Sequence, residues 1–417
     1  MSTVYLLGAG ASHAYDGSRF GVRPPSAKGF FDAYSRLPIS EDFDVKVGAI
    51  VNFARDYYGI DPASFLSFSE DVESFMSRVD EVIELLRARL NPSRGPDRKP
   101  DPTAADFYAA YRAKFEMLLL FSRVLTDTTD GPPCRYHSAL VAGLREGDTV
   151  ISFNWDPLLE RALHGTGLWF PDDGYGISFD LLFDGEWRDA NPGVHSQVQL
   201  LKLHGSVSWL ICLPGFEGST GEEYSGLPQE RFHDKFCFVR APGEPHYTPR
   251  AVLLNPLAPK RRTDSLREIT VNVRIVPQGT VVRGPQDVRI VPEIAVFDDY
   301  TASSKMTSLI IPPTHRKNYD DLPGRVFEEL WPKALEALAN SDRTVIIGYS
   351  LPKTDERSRW LLRQAARLRA TPWRIDLVTP TPVPLQHELA ELVGTRKCDV
   401  VPVADSFQAY TRRLEAV

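Results

Sequence analysis

The sequence predicts an α/β fold: a parallel sheet flanked by helices, to which a helical module and a β-rich insertion are added. Three observations point there. The C-terminal third alternates short apolar runs with amphipathic stretches: "TVIIGYS", "DERSRWLLRQAARLRA", "WRIDLVTP", "PLQHELAELVG" and "CDVVPV" follow one another. Strands that alternate with helices of this length make βαβ units and hence a parallel sheet. The first apolar run, "TVYLLG", ends in the glycines of "GAGAS", as a strand does before a tight turn into a helix. A further strand and helix stand side by side in "DTVISFNW" and "DPLLERAL".

Taken in order, residues 3 to 8 form the first strand. From Pro62 to Leu90 the apolar residues Phe65, Val72, Phe75, Met76, Val79, Val82, Ile83 and Leu86 recur at helical spacing, which predicts an amphipathic helix or helix pair. Residues 91 to 103, "NPSRGPDRKPDPT", carry proline and charge with no apolar anchor and read as an exposed loop. "ADFYAAYRAKFEMLLLFSRVL" is a second strong helix. From Pro214 to Tyr300 helical periodicity disappears, and β-branched runs such as "ITVNVRIVPQGTVVRG" predict a β-rich insertion. Order returns with the strand "SLIIPP" and the helix "RVFEELWPKALEALAN". The expected organisation is a core of residues 1–213 and 301–417, a helical module at about 40–130 within it, and an insertion at 214–300.

Composition narrows the function classes. Of 417 residues, 42% are hydrophobic and 25% charged, the balance of an ordinary globular chain. A net charge of -7 gives no general attraction to nucleic acid or anionic lipid, so neither is expected as a partner. Apolar stretches fall well short of the roughly 20 residues of a membrane helix. The opening "MSTVYLLGAGAS" lacks the basic start of a signal peptide, and a cytoplasmic location is expected. Cys134, Cys212, Cys237 and Cys398 are scattered without a CxxC pair. That spacing argues against a structural zinc site and against a disulfide framework.

Four polar loops at the ends of apolar strands carry the candidate chemistry. Gly8, Ala9, Gly10 and Ser12 follow the first strand, where glycines let backbone approach a pyrophosphate; a tight strand-to-helix turn is the plain alternative. The third glycine of GxGxxG is missing, since position 13 is His. Asn154 and Asp156 follow "VISF"; Asp156 before Pro157 also fits a helix cap, whereas Asn154 lies ahead of the cap. His204, Gly205 and Ser206 end the apolar run "QLLKL". Gly348, Tyr349, Ser350 and Asp355 follow "TVII", and Asp355 also suits the cap of the next helix. Ligands of open α/β sheets bind outside the carboxyl ends of the strands, so four such loops converging on one crevice point to a nucleotide. His13 reads as a surface residue at a helix start, and Trp155, Trp209 and Trp360 as core. His315 in "PPTHRK" is a further candidate for contact with substrate, and Lys260, Arg261 and Arg262 read as a solvated loop, with an acidic partner or nucleic acid as the alternative.

"GAGAS", "FNWD", "KLHGS" and "IIGYSLPKTD", in that order and with "LIIPPTHRKNY" before the last, resemble the sirtuin-like domains of bacterial anti-phage defence proteins. The match runs from residue 4 to about 380, although the segments between motifs are unmatched. The resemblance implies a Rossmann-like core that binds NAD+. It places Gly8, Ala9, Gly10 and Ser12 at the phosphate loop, and Asn154 and Asp156 beside the nicotinamide ribose. His204 matches the catalytic histidine, and Gly348 and Ser350, with Tyr349 between them, match the loop near the adenosine half. Thr379 stands for an asparagine beside the adenine ribose, and Arg23 is a loose counterpart of the flexible-loop arginine. The four zinc cysteines of sirtuins are absent.

That departure favours hydrolysis of NAD+ over protein deacylation. The expected activity is an NAD+ glycohydrolase that releases nicotinamide and ADP-ribose, with NAD+ as substrate and no metal. The catalytic residues expected are Asn154, Asp156 and His204. The nicotinamide of NAD+ is already cationic, so its departure needs no general acid. The site must orient the ribose, stabilise an oxocarbenium-like state and place a water, for which an imidazole is a suitable base near neutral pH. The resemblance further implies a silent effector, released by a phage signal, acting as a homo-oligomer or with a partner defence protein such as an ATPase or a nucleic-acid sensor. Two alternatives stand beside it: an NAD-dependent deacylase, and a non-catalytic subunit that binds NAD or ADP-ribose.

Overall fold

The structure is a computed structural model and describes residues 2–41, 47–89, 102–177, 181–183, 186–188, 191–213, 236–239, 273–276, 280–283, 288–291, 294–297, 305–314, 325–394 and 398–415. Six parallel strands form the central sheet: Thr3–Leu7, Thr149–Ser152, Gln199–Lys202, Arg343–Ile347, Trp373–Val378 and Cys398–Ala404. Counted along the chain, they lie side by side in the order 3-2-1-4-5-6. This is the Rossmann-like arrangement. Val4, Leu6, Ile151, Leu200, Val345 and Ile375 are all buried, as expected of parallel strands covered by helices on both faces.

The register decides where the loops emerge. Lys202 pairs with Ser152, Ser152 with Leu7, Leu7 with Ile347, and Ile347 with Val378. These strand ends stand in one row, so the residues after them leave the sheet along one edge. Chain order reverses between the first and fourth strands. The loops at Gly8 and Gly348 therefore flank the switch point, where a crevice opens in folds of this class.

Helices Phe30–Arg36, Gly48–Tyr58, Val72–Arg89 and Pro102–Thr129 make the helical module. It has its own core, in which Phe31 meets Phe75 edge to face at 5.5 Å. Val207 and Ile310 join that core from the strand region, and Phe121 lies 5.6 Å from Trp155. The helical spacing from Pro62 resolves into two pieces, a 3-10 turn Pro62–Ser67 and the helix from Val72. Asp71 separates them, since its carboxylate accepts from Glu73 N at 2.8 Å and starts the second helix.

A second sheet of five strands runs in the order Lys305–Ile310, Gly205–Leu213, Phe236–Val239, Leu181–Phe183, Glu186–Arg188. Its pairings are antiparallel except that of Leu181–Phe183 with Phe236–Val239. Two small ladders follow, Val273–Val276 with Ile294–Phe297 and Thr280–Arg283 with Val288–Val291. The second sheet thus draws strands from both sides of residue 214. A C-terminal helix, Phe407–Glu415, completes the fold and packs Phe407 against His137 and Tyr136 of the helix Arg135–Ala142. Among the described residues no helix is long and apolar enough to cross a membrane. Residues 91–101 of the expected loop, His315, and Lys260, Arg261 and Arg262 lie outside the described residues.

Candidate functional site

The two loops at the switch point are packed backbone on backbone. Gly8 N donates to Ile347 O at 3.0 Å, and Gly10 N to Gly348 O at 2.9 Å. A Cβ on Gly8 would lie 2.6 Å from Tyr349 Cα, and one on Gly348 would lie 2.5 Å from Ala11 N. Gly348 also has φ +61°, a left-handed conformation that costs glycine little. The glycines thus have a packing role beside any contact with phosphate. Ala9, Gly10 and Ser350 form the exposed rim of the two loops. Thr379 is half-buried one strand further out; its amide donates to Ala404 O at 3.1 Å and its hydroxyl accepts from Thr381 N at 3.5 Å.

Asn154, Ser12 and Asp156 form one hydrogen-bond network. Asn154 Nδ2 donates to Gly8 O at 2.9 Å and to Ser12 Oγ at 2.8 Å. Ser12 Oγ donates to Asp156 Oδ2 at 2.5 Å. Asp156 Oδ1 accepts from Leu158 N at 3.1 Å, at the start of the helix Leu158–Leu163. Asp156 therefore performs the capping role from one position outside Pro157, and it does more. It is buried, and its carboxylate holds the serine that holds Asn154. Asn154 itself is half-buried.

His204 belongs to a second group. The third strand ends at Lys202, the chain turns through Leu203 and His204, and the second sheet begins at Gly205. Gly205 has φ +78°, and a Cβ there would lie 2.0 Å from Leu309 O, so only glycine permits this change of sheet. His204 Nε2 lies 3.2 Å from Asp355 Oδ2, and both side chains are buried. Tyr349 OH donates to the same carboxylate oxygen at 3.0 Å. Asp355 Oδ1 accepts from Ser358 N at 3.3 Å and caps the helix Glu356–Leu368. The Phe153 ring stacks on Tyr349 at 4.4 Å and lies 4.9 Å from the His204 ring. Phe153 precedes Asn154, so it joins the two groups.

Beneath both lies a buried ion pair. Lys202 Nζ donates to Glu160 Oε1 at 2.7 Å and to Asp156 O at 2.6 Å, with Lys202 1% and Glu160 0% exposed. Burial raises the Glu160 carboxyl above the usual carboxylate range, and the adjacent ammonium opposes that shift. Leaving either charge unpartnered costs roughly 3–5 kcal/mol.

Gly8, Ser12, Asn154, Asp156, His204, Gly348 and Tyr349 all come to this edge. His13 is exposed, with Nδ1 3.0 Å from Pro24 O, and Arg23 is exposed. Trp209 is buried as expected, and Trp155 is half-buried. Trp360 is not core: it is 45% exposed and lines a surface groove with Lys353, Glu356, Arg359, Arg363 and Leu392. It lies on the outer face of its helix, whose inner face buries Ser358, Leu361, Leu362 and Ala365. Asp355 was named with its loop and read also as a cap, but two residues of the site were not singled out from sequence: Lys202 and Glu160. The signal for these two was a lysine in an apolar strand and a glutamate in "DPLLERAL". No protein-family model and no curated protein matches the chain.

Proposed function

We propose that the protein hydrolyses NAD+ at the nicotinamide–ribose bond, giving nicotinamide, ADP-ribose and a proton. The observation that carries this reading is the buried His204–Asp355 pair, set in the same row of strand ends as Asn154 and next to the point where the strand order reverses. A dinucleotide laid across the two glycine loops, at the carboxyl ends of the strands, would meet their exposed rim of Ala9, Gly10 and Ser350. Asn154 uses both amide protons inside the protein, so its Oδ1 is the atom offered to a ribose hydroxyl or a water. Asp156 acts from behind, through Ser12, to fix that amide. His204 takes the proton of the attacking water as the C–N bond breaks and the electron pair leaves with nicotinamide. Asp355 stabilises the imidazolium that forms. Tyr349 fixes the carboxylate, and Thr379 lies toward the adenosine half.

The effector role follows from the resemblance. An unregulated hydrolase of this kind would exhaust its host's NAD+, so the activity is held silent until a phage signal arrives. A second copy of the chain or a partner defence protein releases it.

The test incubates purified protein with NAD+, alone and with an acetyl-lysine peptide, and separates the products by chromatography. Nicotinamide and ADP-ribose without peptide support hydrolysis, and folded Asn154→Ala and His204→Ala proteins should release neither. Strict peptide dependence would make it a deacylase. Binding without turnover, also in extract of phage-infected cells, would make it a non-catalytic subunit.

A further inference from the structure

We infer that Lys202 and Glu160 are positioning residues for this site: their buried ion pair sets the turn carrying Asn154 against the turn carrying His204. The inference rests on the NAD+ reading for its chemistry, and on geometry alone for the positioning. Lys202 is the last residue of the third strand, two before His204, and Glu160 sits on the helix that Asp156 caps. The ammonium bridges these two elements, donating to Glu160 Oε1 at 2.7 Å and to the Asp156 carbonyl at 2.6 Å. A second tie runs beside it. Ser206 Oγ and Val207 N donate to the Trp155 carbonyl at 3.2 and 2.9 Å, and Ser206 Oγ also reaches Glu160 Oε1 at 3.5 Å. Tyr175 OH approaches that same oxygen at 3.4 Å.

The backbone carbonyls of Trp155 and Asp156, next to Asn154, are thus both held from the His204 side. An ion pair is a poor way to fill space. Two charges lose their hydration on burial, and apolar residues of the same volume often stabilise a fold equally well or better. What the pair provides here is direction. A lysine ammonium reaches two oxygens on a neighbouring element at hydrogen-bond distance, which a methionine or leucine cannot do. The oxygens it reaches belong to the Asn154–Asp156 turn and to the helix that follows it.

The experiment replaces both partners at once, Lys202→Met with Glu160→Leu, so that no charge is left buried alone and volume is kept. Two readouts are taken on the full chain: steady-state NAD+ cleavage and amide hydrogen exchange. The inference expects a folded protein whose kcat falls about 10²-fold, the loss that a small misplacement of reacting groups brings. KM for NAD+ should move less than kcat, since neither substitution falls in the Gly8 or Gly348 loop. Exchange should quicken at residues 153–158 and 203–208 and stay unchanged in the Arg343–Ile347 and Trp373–Val378 strands. Wild-type kcat with unchanged exchange at both turns overturns the inference. So does a loss of protection spread evenly over the sheet, which marks a merely structural pair. If wild-type protein releases no nicotinamide under any condition, the NAD+ reading fails separately, and exchange at the two turns still decides the positioning claim.

Discussion

His204 Nε2 stands 3.2 Å from Asp355 Oδ2, while the other oxygen of that carboxylate caps a helix by accepting from Ser358 N. One carboxylate thus fixes an imidazole and a helix start together. Asp355→Asn separates the two roles, because asparagine caps as well as aspartate but carries no charge. The substitution should lower nicotinamide release roughly 10²- to 10⁴-fold, the range that a well-placed base and its partner contribute. The melting temperature should change little. Steady-state kinetics with a thermal melt checks both, and wild-type kcat would remove Asp355 from the site.

Ser12 is the bridge between Asn154 and Asp156, and its hydroxyl is buried. Ser12→Ala leaves the Asp156 carboxylate one donor short and releases one Asn154 amide proton. Stability should fall by about 1–3 kcal/mol, as for a buried hydrogen bond to a charged acceptor. Turnover should fall further than that loss explains, because Asn154 is no longer held. Urea unfolding alongside kinetics of the folded variant distinguishes the two effects.

Gly205 marks the passage from one sheet to the other. With φ +78° and Leu309 O only 2.0 Å from the place of a Cβ, Gly205→Ala should cost roughly 4 kcal/mol or more. Gly21 is the control: it has φ +66°, but no heavy atom lies within 4 Å of its Cβ position. Gly21→Ala should cost only about 1–2 kcal/mol, the strain of the left-handed conformation alone. Equal melting temperatures for the two variants would contradict the packing argument.

Acid should destabilise the protein partly through His137. Burial pushes this imidazole down to about 4, so the folded state keeps it neutral while the unfolded chain protonates it below about 6.5. The unfolded state then binds more protons in that window, and stability is lost as pH falls through it. Between pH 7.5 and 5 this group should remove about 2 kcal/mol. In His137→Phe that part of the pH dependence should vanish. Urea midpoints at the two pH values give the comparison, and identical losses in both proteins would show that His137 does not titrate as described.

Much of the architecture was legible in the chain itself. Parallel strands covered on both faces are continuous apolar runs, so "TVYLL", "TVII" and "WRIDLV" announced themselves, as did the helices between them. His204 could be placed at a strand end because the apolar run "QLLKL" stops there. What was hidden is what depends on distant segments meeting. Asp355 reads locally as a cap, and its tie to His204 exists only once the third and fourth strands lie in one sheet. Leu181–Phe183 and Glu186–Arg188 are three-residue strands, too short for any periodicity to register. The glycines of "GAGAS" suggested a phosphate, yet their tightest neighbours are backbone atoms of the Gly348 loop. Trp360 looked like core because aromatics usually are, but it faces outward from a helix whose other face does the packing.

In the proposed reaction His204 is the base that serves hydrolysis of NAD+. The most direct measurement is the initial rate of nicotinamide release from NAD+, without peptide, by wild-type protein and by folded His204→Ala. Wild-type protein should give nicotinamide and ADP-ribose in equal amounts, and folded His204→Ala neither above background. Equal rates from the two proteins would contradict that role.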